Sequence, residues 1–121
     1  MVLEHSHVKE NKTIEISGSK SISNRLLILH QLFDNILIQN LSNSQDTQLL
    51  QAALQSDSDI IDIHHAGTAM RFLTSYYAIQ EGKTVDLTGS ERMKQRPIKF
   101  LVDALRDLGA EISYLENEGF P

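Results

Sequence analysis

Cysteine is absent from the 121 residues, so neither a disulfide framework nor a thiolate metal site can form, and a reducing compartment suits such a chain. Aromatic residues are scarce: four Phe and three Tyr leave too few rings for a base-stacking platform, so Tyr76 and Tyr77 read as core or helix-face residues. No apolar run approaches the length of a membrane span, because Leu26 to Leu29 ends at His30, and Met1 to Thr13 lacks the apolar centre of a signal peptide. Positive charge is in deficit too. Eleven Lys and Arg against 16 Asp and Glu give a net charge of −5, which argues against a nucleic-acid binder, since counterion release needs a positive surface. These absences predict a cytoplasmic protein that engages neither nucleic acid nor membrane. A Gly-x-Gly-x-x-Gly fingerprint is also missing. Ser19-Lys20-Ser21 echoes the end of a phosphate loop, but its upstream glycine is lacking and serine precedes the lysine, which argues against nucleotide hydrolysis.

What is present is an ordinary globular composition, 40% apolar and 22% charged, in a chain of single-domain size. Its cations are unevenly placed. Seven of the 11 fall in three short segments: Lys20 and Arg25, then Arg71, then Arg92, Lys94, Arg96 and Lys99. Such concentration in an acidic chain points to a small anionic ligand.

Periodicity predicts alternating strands and helices. Strands are expected at Thr13–Ile16, Asn35–Leu41, Ile60–Ile63, Thr84–Leu87 and Glu111–Leu115. Helices are expected from about Ser21 to Phe33, from a cap at Ser44–Asp46 to about Gln55, and from Thr68 to about Gln80 with Gly82 ending it. A last helix should take Pro97 at its first position, bury Ile98, Leu101, Val102, Leu105 and Leu108, and end at Gly109. Regular alternation of this kind implies an α/β fold. Three predicted helix starts carry cations, at Lys20 with Arg25, Thr68 with Arg71, and Arg96 with Pro97. Helix starts collect anions in open α/β architectures, so the three could face one multiply charged ligand.

Gly18-Ser-Lys-Ser-Ile-Ser-Asn-Arg25 places two cations and three hydroxyls at a helix start. It reads either as an anion site or as a solvated cap with incidental charge. His64 and His65 follow a strand beside Gly67, where they either line a ligand cavity or cap a turn. His5 and His7 share a strand face without a third ligand and read as solvated terminal histidines, so no metal is expected. Asp57, Asp59 and Asp62 read as the solvent face and turn of a short strand.

Three segments in this order, Gly18–Arg25, Ala66-Gly-Thr-Ala-Met-Arg71 and Leu87-Thr-Gly-Ser-Glu-Arg-Met-Lys-Gln-Arg-Pro-Ile98, resemble the EPSP synthase (3-phosphoshikimate 1-carboxyvinyltransferase) family. Leu101-Val-Asp-Ala-Leu-Arg-Asp-Leu-Gly-Ala110 extends the resemblance, which runs from about Ile14 to the end. It implies part of a two-domain enolpyruvyl transferase fold built from βαβαββ units, with residues 1–121 forming a partial N-terminal domain and the second domain absent, hence a fragment. It also implies a reaction of the shikimate pathway of aromatic amino acid biosynthesis, with phosphoenolpyruvate and 3-phosphoshikimate as substrates and no cofactor. Carried over by motif, Lys20, Ser21 and Arg25 would hold 3-phosphoshikimate, and Lys20, Gly67 and Arg96 phosphoenolpyruvate. Thr68, Arg71 and His65 would line the site. The family's general acid and base lie in the later domain, so no catalytic residue is expected here and the chain alone should be inactive.

The chain departs from the family pattern at several positions. His65 stands at a usual asparagine, and Phe72 replaces a common proline after Arg71, where it could reshape that helix start and the response to glyphosate. Gln45 interrupts an acidic pair before Thr47, and the span from Asp46 to Ala66 is short, so strands of the first unit are expected to be missing. A sibling class transfers the same group to a UDP-linked amino sugar, UDP-N-acetylglucosamine. Its reactive cysteine would fall near Leu87–Pro97, where this chain has Arg92-Met-Lys-Gln-Arg96. A non-catalytic anion-binding module is the alternative from a different class.

Overall fold

A computed structural model describes residues 1–7 and 9–121. The order of elements is α1 (Lys20–Leu32), α2 (Gln45–Leu54), β1 (Ile60–Asp62), α3 (Gly67–Tyr77), β2 (Asp86–Thr88) and α4 (Lys99–Asp107). β1 and β2 pair in parallel, with Ile60 beside Asp86, Ile61 beside Leu87 and Asp62 beside Thr88. A parallel pair needs a crossover, and α3 supplies it. The α/β alternation expected from the periodicity is therefore present from residue 60 onward.

Helices α1, α2 and α3 pack on one another and α4 packs on α3. Leu27, Leu50, Ala53, Ile61, Ile63, Ala69, Met70, Leu73 and Val102 form the centre of the core, with Leu50, Ile63 and Leu73 fully enclosed. α4 shows why helical spacing is a strong signal. Val102 is buried and Leu101 and Leu105 are half-buried, whereas Phe100 and Leu108 on the other side stay exposed. Leu108 was expected on the buried stripe, but as the C-cap residue it lies at the end of α4 and stays 85% exposed.

A short polar chain holds α1 to α2. The Ser44 side chain caps α2 by accepting from the Thr47 N–H at 3.4 Å, and the Ser44 and Thr47 hydroxyls lie 2.9 Å apart. Thr47 Oγ1 in turn donates to Oδ1 of the buried Asn24 at 2.7 Å. The Ser42 N–H donates to Ser23 Oγ at 2.9 Å and ties the chain before α2 to α1. Ser44→Ala removes both the cap and the far end of this relay, so it is expected to lower the free energy of unfolding by about 1–2 kcal/mol. Urea unfolding of the two proteins measures this, and an unchanged midpoint would contradict it.

Several boundaries differ from the sequence reading. Pro97 precedes the N-cap residue Ile98 instead of opening α4, and α3 ends at Tyr77, so Gly82 sits in the turn beyond it with φ of 71°. Gly109 does take the expected left-handed position, φ 98°, just after α4. β2 begins at Asp86, two residues beyond the predicted Thr84. Segments 13–16, 35–41 and 111–115 join no sheet. Ile14 and Ile16 are 82% and 81% exposed, and a strand without a neighbour has nowhere to place its backbone hydrogen bonds. The last segment keeps strand-like alternation all the same, with Ile112 and Tyr114 against the core and Glu111, Ser113 and Leu115 outside.

Candidate anion-binding site

Of the four helices among the described residues, α2 is capped by a side chain and has an acid in its first turn, whereas α1, α3 and α4 have neither. These three are the helix starts that carry the cations. An uncapped start leaves backbone N–H groups and the positive end of the helix dipole available to an anion. Ser19, a good capping type, makes no cap bond with its side chain, so the N–H groups of Lys20, Ser21 and Ile22 have no partner among the described residues.

Lys20 is the first residue of α1, and its ammonium lies 3.3 Å from Oδ2 of Asp46 in the first turn of α2. Arg25, one turn further along α1, donates from Nη1 to the Ser21 carbonyl at 2.8 Å and to Ser21 Oγ at 2.6 Å. Both side chains remain exposed at the surface, held without being buried. The interruption at Gln45 therefore leaves the ion pair intact, because Asp46 is the carboxylate that Lys20 uses.

The second and third cationic starts meet directly. Arg71, on α3, donates from Nη2 to the Pro97 carbonyl at 2.9 Å, so α3 is latched to the chain entering α4. The guanidinium of Arg96 lies against Gly67, where any Cβ would overlap Arg96 Nη1. This approach explains the glycine by space, since Gly67 does not have a positive φ. The Gly67 N–H is turned back to the His65 carbonyl at 2.9 Å. Thr68 and Ala69 N–H have no partner among the described residues and are the donors that α3 offers.

His64 has φ of 50°, its N–H donates to Asp62 Oδ1 at 2.7 Å, and its carbonyl accepts from the Ser90 N–H at 2.9 Å. It acts as the turn residue of the two readings open for the pair. His65 is exposed beside Gly67. Lys94, in the basic loop before α4, is occupied: Glu116 accepts from its ammonium at 2.8 Å and, with Glu91 nearby, raises its pKa above the ordinary lysine range. Among the described residues no group of three or more His, Asp or Glu could hold a metal ion, and the His5 and His7 rings meet edge to face at 4.7 Å.

Sequence reasoning did not find two contacts of the site. Asp46 lies 26 positions from its partner Lys20, and the Phe72 ring centroid is 5.6 Å from the Arg25 guanidinium carbon. The indentation among Gly67, Arg71, Arg96, Pro97 and Ile98 is about 10 Å³, room for one water at most.

The βαβ arrangement defines an α/β protein in which three helix starts without a side-chain cap or a first-turn acid carry basic side chains. The profile of EPSP synthase (3-phosphoshikimate 1-carboxyvinyltransferase) matches residues 50–121, and the chain belongs to this family. A 3-phosphoshikimate 1-carboxyvinyltransferase of Bacteroides fragilis (strain YCH46) is 55% identical over 111 residues, covering 90% of this chain and 27% of the relative. Proteins of the same name from Shewanella pealeana and Haemophilus influenzae (strain PittGG) are 39% and 41% identical over 140 and 139 residues, with 93% and 90% of this chain and 33% and 32% of the relatives covered. The chain thus spans a quarter to a third of the length of these relatives. Alignments longer than the 121-residue chain require residues in the Shewanella and Haemophilus proteins that have no counterpart here, in keeping with the shortness of the Asp46–Ala66 span. No helix among the described residues is long and apolar enough to cross a membrane.

Proposed function

We propose that this chain forms the N-terminal substrate-holding part of an enzyme that transfers the enolpyruvyl group of phosphoenolpyruvate to the 5-hydroxyl of 3-phosphoshikimate and releases phosphate. The observation that carries the reading is the selective absence of caps and first-turn acids at the three helix starts with cations. In this reaction the methylene carbon of phosphoenolpyruvate gains a proton, the hydroxyl oxygen adds to the resulting cationic carbon as it loses its own proton, and phosphate then leaves while the new methyl group gives up a proton to restore the carbon–carbon double bond. Lys20, Ser21 and Arg25 hold 3-phosphoshikimate, and Lys20, Gly67 and Arg96 hold phosphoenolpyruvate, with Thr68, Arg71 and His65 lining the site. Arginine forks match carboxylate and phosphate oxygens, and fixed cations stabilise the charge of the departing phosphate.

The shallow surface at Gly67 and Arg96 supports a site closed by a second domain of a longer protein, which also supplies the general acid and base. The repeat-unit reading of the fold has its own support. β1, α3, β2, α4 and the alternating 111–115 segment follow the order β-α-β-α-β. A groove of about 510 Å³ separates β2 from residues 111–116, and Leu87, the middle residue of β2, lines it. In parallel pairing Asp86 bonds toward β1, so the main-chain groups of Leu87 face away from it, and a final strand in the groove would complete a βαβαββ unit.

Titration of the chain with 3-phosphoshikimate, followed by NMR, tests the proposal. Shifts should cluster at Ser21, Arg25 and Arg71, with a dissociation constant near or above about 1 mM because half the contacts are missing. A uniform null response at ligand concentrations well above about 1 mM counts against it. Both substrates together should yield no phosphate above background; measurable release would show that this chain holds its own acid and base.

A further inference from the structure

The Phe72 ring centroid lies 5.6 Å from the guanidinium carbon of Arg25, across the packed helices α1 and α3. On the other side, Arg25 spends Nη1 on the Ser21 carbonyl and hydroxyl, at 2.8 and 2.6 Å. One edge of the guanidinium is thereby tied to its own helix and one region of its surface to an aromatic ring. The remaining edge, Nε with Nη2, makes no hydrogen bond among the described residues. That edge offers two parallel donors, the arrangement that matches a phosphate or a pair of hydroxyls. Phe72 is half-buried and packed against the core, and it follows Arg71, whose own guanidinium is fixed on Pro97, so the ring is anchored to a constrained part of α3.

We infer that Phe72 is a positioning residue for the 3-phosphoshikimate subsite, holding the Arg25 guanidinium so that its free Nε–Nη2 edge faces the ligand. This rests on the substrate assignment proposed above. An arginine on the surface of a helix otherwise samples many rotamers, and ordering it on binding weakens affinity. A cation–π contact removes part of that disorder beforehand, and it strengthens once ligand excludes water from the ring and the guanidinium. Leucine in place of Phe72 keeps an apolar side chain against the core but has no ring face; tyrosine keeps the ring.

The test compares the parent 121-residue chain with Phe72→Leu and Phe72→Tyr, all titrated with 3-phosphoshikimate while the Arg25 Nε–Hε resonance is followed by NMR. In Phe72→Leu that resonance should lose its ring-current displacement and the dissociation constant should rise about two- to fivefold. Phe72→Tyr should restore both to parental values. Equal affinity in the parent and Phe72→Leu overturns the inference and leaves the substrate assignment standing. Equal weakening in both variants, with shifts spread along α3, also overturns it, by showing a merely structural role. Failure of the parent chain to bind takes down the substrate assignment and this inference together.

Discussion

Alanine at Gly67 is expected to weaken phosphoenolpyruvate binding by at least tenfold while barely changing thermal stability. The new methyl group would occupy the place of Arg96 Nη1 and crowd the guanidinium carbon, at 2.7 Å. What obstructs it is the far end of a long, exposed side chain, which can swing away at little cost. The fold therefore survives and the geometry does not. Losing one charge-assisted contact to a phosphate or carboxylate costs about 1.5–3 kcal/mol, or roughly ten- to a hundredfold in affinity. Titration of both chains with phosphoenolpyruvate, read at the Arg96 side chain, checks the binding half. A melting curve checks the other half, and parental affinity in the alanine variant would refute the assigned contact.

Gly18→Ala should do the reverse, damaging the fold first. A Cβ at Gly18 would coincide with the carbonyl oxygen of Asn40 and crowd its carbonyl carbon, at 3.1 Å. Backbone cannot rotate aside as a guanidinium does, so the segment before α1 and the segment before α2 must part. Overpacking of this kind costs about 3 kcal/mol, enough to lower the melting temperature by on the order of 10 °C in a chain of this size. Differential scanning calorimetry would register it, and a melting point within a degree or two of the parent would show that the two segments give way easily. The contrast between the two glycines follows from what each one faces.

Helices were the legible part of the fold because their signals are local. The Ser44 cap, the stripe on α4 and the glycine after Leu108 each lie within one or two turns of what they control. Strands were only half legible. Segments 13–16, 35–41 and 111–115 have β-type patterns, but a ladder also requires a neighbour, and a period of two says nothing about whether one exists. β1 and β2 form because α3 brings one alongside the other. In the site, the types and order of residues could be read from the motifs, whereas their contacts could not. Arg96 lies 29 positions from the glycine it covers, and nothing local at Arg25 announces Phe72.

The uncapped starts of α1, α3 and α4 also set a limit on how far this protein can be stabilised without loss. A serine or aspartate cap contributes about 1 kcal/mol per helix, so three open ends amount to an unused reserve comparable to a sizeable share of a small domain's net stability. An engineer seeking a more heat-resistant variant would find these ends the easiest to improve. Each acid placed there would act as an internal competitor, satisfying the same N–H groups that an incoming oxyanion needs. Robustness and affinity are thus in opposition at these positions, and α2, already closed by Ser44, is the one helix start where the conflict does not arise.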